Sequence, residues 1–185
     1  VQSFRDKYFA IPGDMNNATQ FWGRMNGNAD CVTNSSPASA VATPGACDGN
    51  GNGQMVIAAA ASQSGEIYQF WRQLAIAGLI EGSYTGIAGS GSTVSMVVGT
   101  NIPRSRLNNA GWGLREFTGT AIADTTLLNN IYGQWFQFGA NNGNFDNAEN
   151  VLKPEEAWNI DTKLDDGRPG LGKVVVRNWS TCTNA

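Results

Sequence analysis

The sequence predicts a loop-rich α+β protein in which helices pack against a small antiparallel sheet of three to four strands. Helix signals occur at the N-terminus, between residues 62 and 82, and after Pro154. Short β-branched or aromatic runs lie between and after the last two helices. Twenty-three glycines among 185 residues indicate many turns, and a hydrophobic fraction of 41% is enough for one core. We therefore expect a single domain over residues 1–185.

The N-terminal helix is amphipathic. Val1, Phe4 and Tyr8 fall on one stripe with charged residues between them, and the Ile-Pro-Gly-Asp turn at residues 11–14 ends the helix. Its start carries neither an N-cap residue nor an acidic first turn. We therefore expect residues 1–10 to be the lower end of a longer helix whose upstream part has been removed.

Three further helical segments follow. Residues 17–22 favour a short helical turn, and a longer helix begins at Ser62 or Ser64 and ends at Gly82. The longer helix has an apolar face of large side chains: Ile67, Phe70, Trp71 and Leu74. The last helix begins with Pro154, followed by two glutamates in its first turn and a lysine in its last.

Four segments are candidate strands, and they are residues 94–98, 111–118, 130–138 and 173–178. The third carries aromatic side chains on both faces. We therefore expect it to be the central strand, packed on helices beneath and partly covered above.

Composition excludes several classes of function. The net charge is −3 with only 15% charged residues, so the chain lacks the excess of basic residues that is typical of proteins that bind nucleic acid. Histidine is absent, which removes imidazole as a general base or metal ligand. No apolar run is long enough to span a bilayer.

Catalytic motifs are also missing from the sequence. The side chains of neighbouring acids such as Asp165 and Asp166 are expected to diverge, so they would not lie on the two sides of a substrate bond. The sequence also contains no nucleophile elbow, P-loop or zinc-protease motif. We expect no enzyme. Paired acids from distant segments could still build a glycosidase, which leaves a secreted hydrolase as one alternative.

Two segments are candidate metal sites. Asp161, Asp165 and Asp166 lie within six residues at a helix end, where carboxylates can converge on a hard cation such as Ca²⁺. The other interpretation of these residues is a helix C-cap followed by a tight turn.

The second segment, residues 48–53, copies the first half of a calcium loop, with Asp48, Asn50 and Asn52 as ligands. Ala59 stands where the bidentate acid should be, so a remote carboxylate such as Asp30 or Glu66 would have to complete the site. A plain glycine-rich turn is the alternative.

The three cysteines, Cys31, Cys47 and Cys182, allow at most one bridge inside the chain. A Cys31–Cys47 disulfide would restrain a loop rich in Ser, Ala and Thr, with a gain of roughly 3 kcal/mol. We favour that pairing. The alternatives are a bridge from either cysteine to Cys182, or three reduced cysteines.

Two segments resemble bacterial type IV pilin-like and type II secretion pseudopilin subunits: IPGDMNNATQFWG at residues 11–23 and AWNIDTKLDDGRP at residues 157–169. In that family a hydrophobic N-terminal helix, cleaved and methylated by a prepilin peptidase, carries a globular head. The resemblance implies a pilin-like head without this stem, with residues 1–10 as its remnant. Val1, Phe4 and Tyr8 would then dock the stem on the head. Many pseudopilins also hold calcium near their C-terminal strands.

The resemblance further implies a structural subunit of a type IV pilus-like or type II secretion pseudopilus filament. Such a subunit acts by bundling of stem helices and lateral packing of heads. It is anchored in the inner membrane of the bacterial envelope, with its head in the periplasm, or lies in an extracellular filament. The truncated head should be monomeric. The alternative is an adhesive minor pilin at the filament tip that recognises a glycan or protein through loops 23–54 and 83–101, with Trp112 or Trp179 exposed for stacking.

Overall fold

A computed structural model describes residues 1–25, 45–58, 64–107, 109–117, 133–143 and 145–176. The chain divides into two compact units. The first comprises residues 1–116 and 134–149, and the second comprises residues 117–133 and 150–185. The expectation of a single domain stays a prediction.

The described residues form four helices and two strands. In chain order these are α1 (Gln2–Tyr8), α2 (Ala18–Trp22), α3 (Glu66–Ile76), β1 (Ala110–Phe117), β2 (Gly133–Ala140) and α4 (Pro154–Leu164). The two strands pair as an antiparallel sheet. The predicted α+β class is therefore confirmed, with two strands in the described part of the chain rather than three to four.

Two predicted strands are absent from the described residues because their N–H groups find other acceptors. In segment 94–98, Met96 donates to the carbonyl of Phe145 (2.9 Å) and Val98 donates to the side chain of Asn141 (2.9 Å). In the described part of segment 173–178, Lys173 and Val174 donate to the carboxylate of Asp165. These N–H groups therefore do not form the backbone hydrogen bonds that join neighbouring strands of a sheet.

Helix α3 is shorter than predicted at both ends. It begins at Glu66 rather than at residue 62 or 64, and Gly65 is its N-cap. It stops well before Gly82 because Gly78 adopts a left-handed conformation (φ 71°) and Leu79 donates to the carbonyl of Leu74 (3.0 Å). This arrangement satisfies the last carbonyls of a helix and ends it.

Helix α3 also forms the centre of the core of the first unit. Every residue from Glu66 to Leu74 is buried, which includes the polar side of the helix as well as its apolar face. Large buried side chains of the cluster come from several segments: Phe4, Met15, Ile67, Tyr68, Met96, Ile102 and Leu114. Strand β1 contributes Leu114 to this core, and the half-exposed ring of Phe136 on β2 lies 5.9 Å from the ring of Phe70 and 5.7 Å from that of Trp71.

In the second unit, α4 follows its sequence signals closely. Pro154 is the first helical residue, and the side chain of Glu156 accepts a hydrogen bond from the N–H of Lys153 (2.9 Å). Acidic residues occupy the first turn and Lys163 the last, as predicted, and both favour the helix dipole.

Candidate functional site

The N-terminal helix is attached to the first unit through an aromatic cluster. Phe4 is completely buried, and its ring lies 4.6 Å from that of Tyr8 and 6.2 Å from that of Trp22. Tyr8 in turn contacts Phe21 (5.3 Å) and Trp22 (5.1 Å) edge to face. Of the three side chains predicted to dock this helix, Phe4 and Tyr8 lie in the cluster, whereas Val1 is half exposed.

The opposite side of α1 faces solvent. Gln2 and Asp6 are exposed and joined by a side-chain hydrogen bond of 2.8 Å. Phe9 ends the helix in the left-handed conformation (φ 55°) and is 93% exposed. A bulky residue rarely adopts that conformation, so this helix end combines backbone strain with a fully exposed aromatic ring.

The turn after α1 is braced by α3. Gly13 donates its N–H to the side chain of Gln73 (2.7 Å) and has a φ of 88°. Any Cβ at this position would collide with the backbone of Glu66 and Phe70. Only glycine fits here, and the close approach ties the end of α1 directly to the central helix.

Sequence reasoning missed the buried polar side of α3. Gln69 accepts a hydrogen bond from the N–H of Cys47 (3.0 Å) and donates to the carbonyl of Gly86 (2.8 Å). Arg72 donates to the carbonyls of Gly45 and Tyr84, and burial lowers the pKa of its guanidinium to about 10. One feature of the sequence could have indicated this burial: the polar side of the helix carries two glutamines four residues apart. A glutamine side chain can both donate hydrogen bonds to the backbone and accept them from it.

The glycine-rich loop of residues 48–53 is organised by the carboxylate of Asp14. Its two oxygens accept N–H bonds from the three consecutive residues 51–53, at 2.7 to 3.1 Å. The side chains of Asn50 and Asn52 each accept an N–H from two residues further along the chain. Asp48 binds both the N–H and the hydroxyl of Thr19. The three side chains predicted as calcium ligands therefore bind donors of the chain itself.

Two more carboxylates continue this arrangement. Glu66 accepts N–H bonds from Asn50 and Val56 (both 2.8 Å), and Glu116 accepts one from Met55. Burial raises the pKa of both glutamates, and repulsion from the charge of Asp14 raises it further. The carboxylates of Asp14, Glu66 and Glu116 come from distant segments and converge here, but all three accept N–H bonds from the backbone of residues 50–56.

In the second unit, Asp161, Asp165 and Asp166 come together at the end of α4. Each offers a carboxylate oxygen, and these oxygens all lie within 4.8 Å of one another. Hydrogen bonds from Lys173 and Val174 to Asp165 lower the pKa of that carboxyl group. The structure thus assembles the three residues that the sequence singled out.

The remaining predicted residues are two that the structure describes, Cys47 and Trp112, and three that it does not describe, Cys31, Trp179 and Cys182. Cys47 is buried, but Cys31 and Cys182 are outside the described residues, so the Cys31–Cys47 bridge stays a prediction. Trp179 is also outside. Trp112 is 43% exposed and its ring lies 4.5 Å from that of Phe138.

Among the helices of the described residues, none has the length and apolar character needed to cross a bilayer. Comparison of the chain with protein-family models, with curated proteins and with solved structures gave no match.

Proposed function

We propose that this chain is the head of a filament subunit of the type IV pilin-like or type II secretion pseudopilin-like class. The observation that carries the proposal is the attachment of α1: one side is fastened by Phe4 and Tyr8, while the other side faces solvent. A helix held in this way can pass mechanical load to the head it carries.

The turn at residues 11–14 supports the same proposal. Gly13 fits against α3 without space for a side chain, and Asp14 is joined by three N–H bonds to loop 48–53. The end of the helix is therefore held by two separate parts of the first unit. In a filament, this bracing would keep the head in one orientation relative to the helix bundle, with residues 11–22 and 157–170 supplying subunit contacts.

The proposal is tested on the natural protein in the organism that encodes it. We expect the coding sequence upstream of Val1 to specify Gly, then Phe-Thr-Leu-Ile-Glu and about twenty apolar residues. We also expect mass spectrometry of sheared or periplasmic filaments to recover the protein with a methylated N-terminus. A cleavable secretory signal ending near Val1, with the protein recovered free, would contradict the proposal.

Two point variants connect the filament test to the structure. Phe4→Ala in the full-length protein should reduce filament yield, because it removes the buried ring of α1. Phe9→Ala is the matched control, since it removes the same ring from an exposed position on the same helix. Sedimentation of the 185-residue chain should show a monomer at micromolar concentration.

A second candidate function is a minor pilin that binds a glycan. It is favoured by the exposed ring of Trp112, which is supported from one side by Phe138. Such a supported aromatic face suits stacking on a sugar ring. Binding on a glycan array should be lost in Trp112→Ala and kept in Trp158→Ala, whose ring is also exposed. Absence of binding by the wild-type chain would dismiss this candidate.

A further inference from the structure

We propose that Asn142, in the turn after β2, is a site of spontaneous deamidation, whereas Asn50 and Asn52 are protected from the same reaction. This inference is independent of the proposed function. Asn-Gly pairs occur at residues 26–27, 50–51, 52–53 and 142–143, and the structure describes the last three of them. Asparagine followed by glycine deamidates readily, because glycine has no side chain to hinder attack by its backbone nitrogen.

Deamidation is an attack by the backbone on a neighbouring side chain. The glycine nitrogen loses its proton and forms a bond to Cγ of the preceding asparagine, while the bond from Cγ to Nδ2 breaks. The Nδ2 group takes up a proton and leaves as ammonia. Water then hydrolyses the remaining succinimide ring to aspartate or to isoaspartate, in which the side-chain carbon has entered the backbone. The reaction therefore needs a glycine N–H that can lose its proton and an asparagine side chain that can turn towards it.

The turn at Asn142 meets both requirements. Its ends are fixed, since Phe145 donates to the carbonyl of Asn142 (2.8 Å) and Asn142 donates to the carbonyl of Asp146 (3.1 Å). Asn142 is half-buried, and Gly143 is exposed in the left-handed conformation (φ 51°). Among the described residues, neither the N–H of Gly143 nor the side-chain amide of Asn142 has a hydrogen-bond partner. Both reacting groups are therefore available for the attack.

The two Asn-Gly pairs of loop 48–53 are held in the opposite way. Gly51 and Gly53 donate their N–H groups to the carboxylate of Asp14 (2.7 and 2.8 Å). A negative charge beside an N–H group opposes the loss of its proton, and a hydrogen bond to a charged acceptor is stronger than one between neutral groups. The side chains of Asn50 and Asn52 are fixed as well, because each accepts an N–H from two residues further along the chain (2.9 and 2.8 Å). Attack in this loop requires these bonds to break first.

The turn at Asn142 also connects β2 with segment 94–98. Val98 donates its N–H to the side chain of Asn141 (2.9 Å), and Met96 donates to the carbonyl of Phe145 (2.9 Å). Deamidation places a carboxylate between these two contacts, and isoaspartate also lengthens the backbone there. Modification of Asn142 therefore changes the attachment of segment 94–98 to the sheet.

The test is peptide mapping by mass spectrometry of the complete chain after incubation at mildly alkaline pH, with aspartyl and isoaspartyl peptides separated. We expect Asn142 to deamidate at least about tenfold faster than Asn50 or Asn52, the factor expected when a hydrogen bond to a charged group must first break. The chain unfolded in guanidinium chloride is the control, and there the three asparagines should react at similar rates. Equal rates in the folded chain would overturn the proposal. The same difference in rate in the unfolded chain would also overturn it, because the structure would then have no part in the selection.

A pair of variants tests the protection of loop 48–53. Asp14→Asn removes the charge that accepts the N–H groups of Gly51 and Gly53, so deamidation at Asn50 or Asn52 should accelerate severalfold. Glu116→Gln is the matched control, because it removes an equal charge that binds the N–H of Met55 instead. No acceleration in the Asp14 variant, or the same acceleration in both variants, would overturn the assignment of the protection to Asp14.

Discussion

Replacement of Phe4 by alanine measures how firmly α1 is attached to the first unit. The side chain is 0% exposed and contacts the rings of Tyr8 and Trp22. Truncation of a fully buried phenylalanine removes its transfer free energy and leaves a cavity, which together cost about 3–5 kcal/mol of unfolding free energy. The unfolding temperature of a chain this size should therefore fall by roughly 6–20 °C.

Phe9→Ala provides the matched comparison. The same ring is removed from the same helix, but at a residue that is 93% exposed, so the unfolding free energy should change by no more than about 0.5 kcal/mol. Urea unfolding followed by tryptophan fluorescence measures both variants, and the slope with denaturant should be unchanged. A cost below about 1 kcal/mol for Phe4→Ala would refute the reasoning, because α1 would then not be anchored by that ring.

Three further predictions concern particular residues. Gly13→Ala should lose at least about 3 kcal/mol of unfolding free energy, because a Cβ there meets backbone at a φ of 88°. Gly78→Ala is the control: it also has a positive φ (71°) but open space around a Cβ, so it should lose about 1 kcal/mol. Equal losses in urea unfolding would contradict this reasoning. Phe9→Gly should stabilise the chain by about 0.5–1 kcal/mol, since glycine relieves the left-handed helix end, and a lower unfolding temperature than in Phe9→Ala would count against it. The pKa of Glu66 is raised above its unfolded value of 4.5. Protonation of this carboxyl group therefore stabilises the fold fully below pH 4.5, and the stabilisation is lost as the pH rises through the pKa of the folded state. The stability of the wild type relative to Glu66→Gln should increase when the pH is lowered from about 7 to about 4.5, and a parallel pH dependence of both proteins would contradict the assignment.

Local signals were sufficient for much of the secondary structure. The amphipathic stripe predicted α1, and Pro154 with its flanking acids predicted α4, because capping and dipole effects act within a few residues. The aromatic and alternating runs at 111–118 and 130–138 likewise predicted strands that the structure contains as β1 and β2. The sequence also singled out the three aspartates at the end of α4.

The tertiary structure decided where polar groups find their partners. The sequence indicated one apolar face for α3, yet Gln69, Arg72 and Gln73 on its polar side are also buried and bind backbone from distant loops. The N–H groups of segment 94–98 go to loop and side-chain acceptors, so a β-branched run does not become a strand. The burial of Asp161 was equally invisible in the sequence. Each of these outcomes depends on partners far away in the chain, and local periodicity carries no information about them.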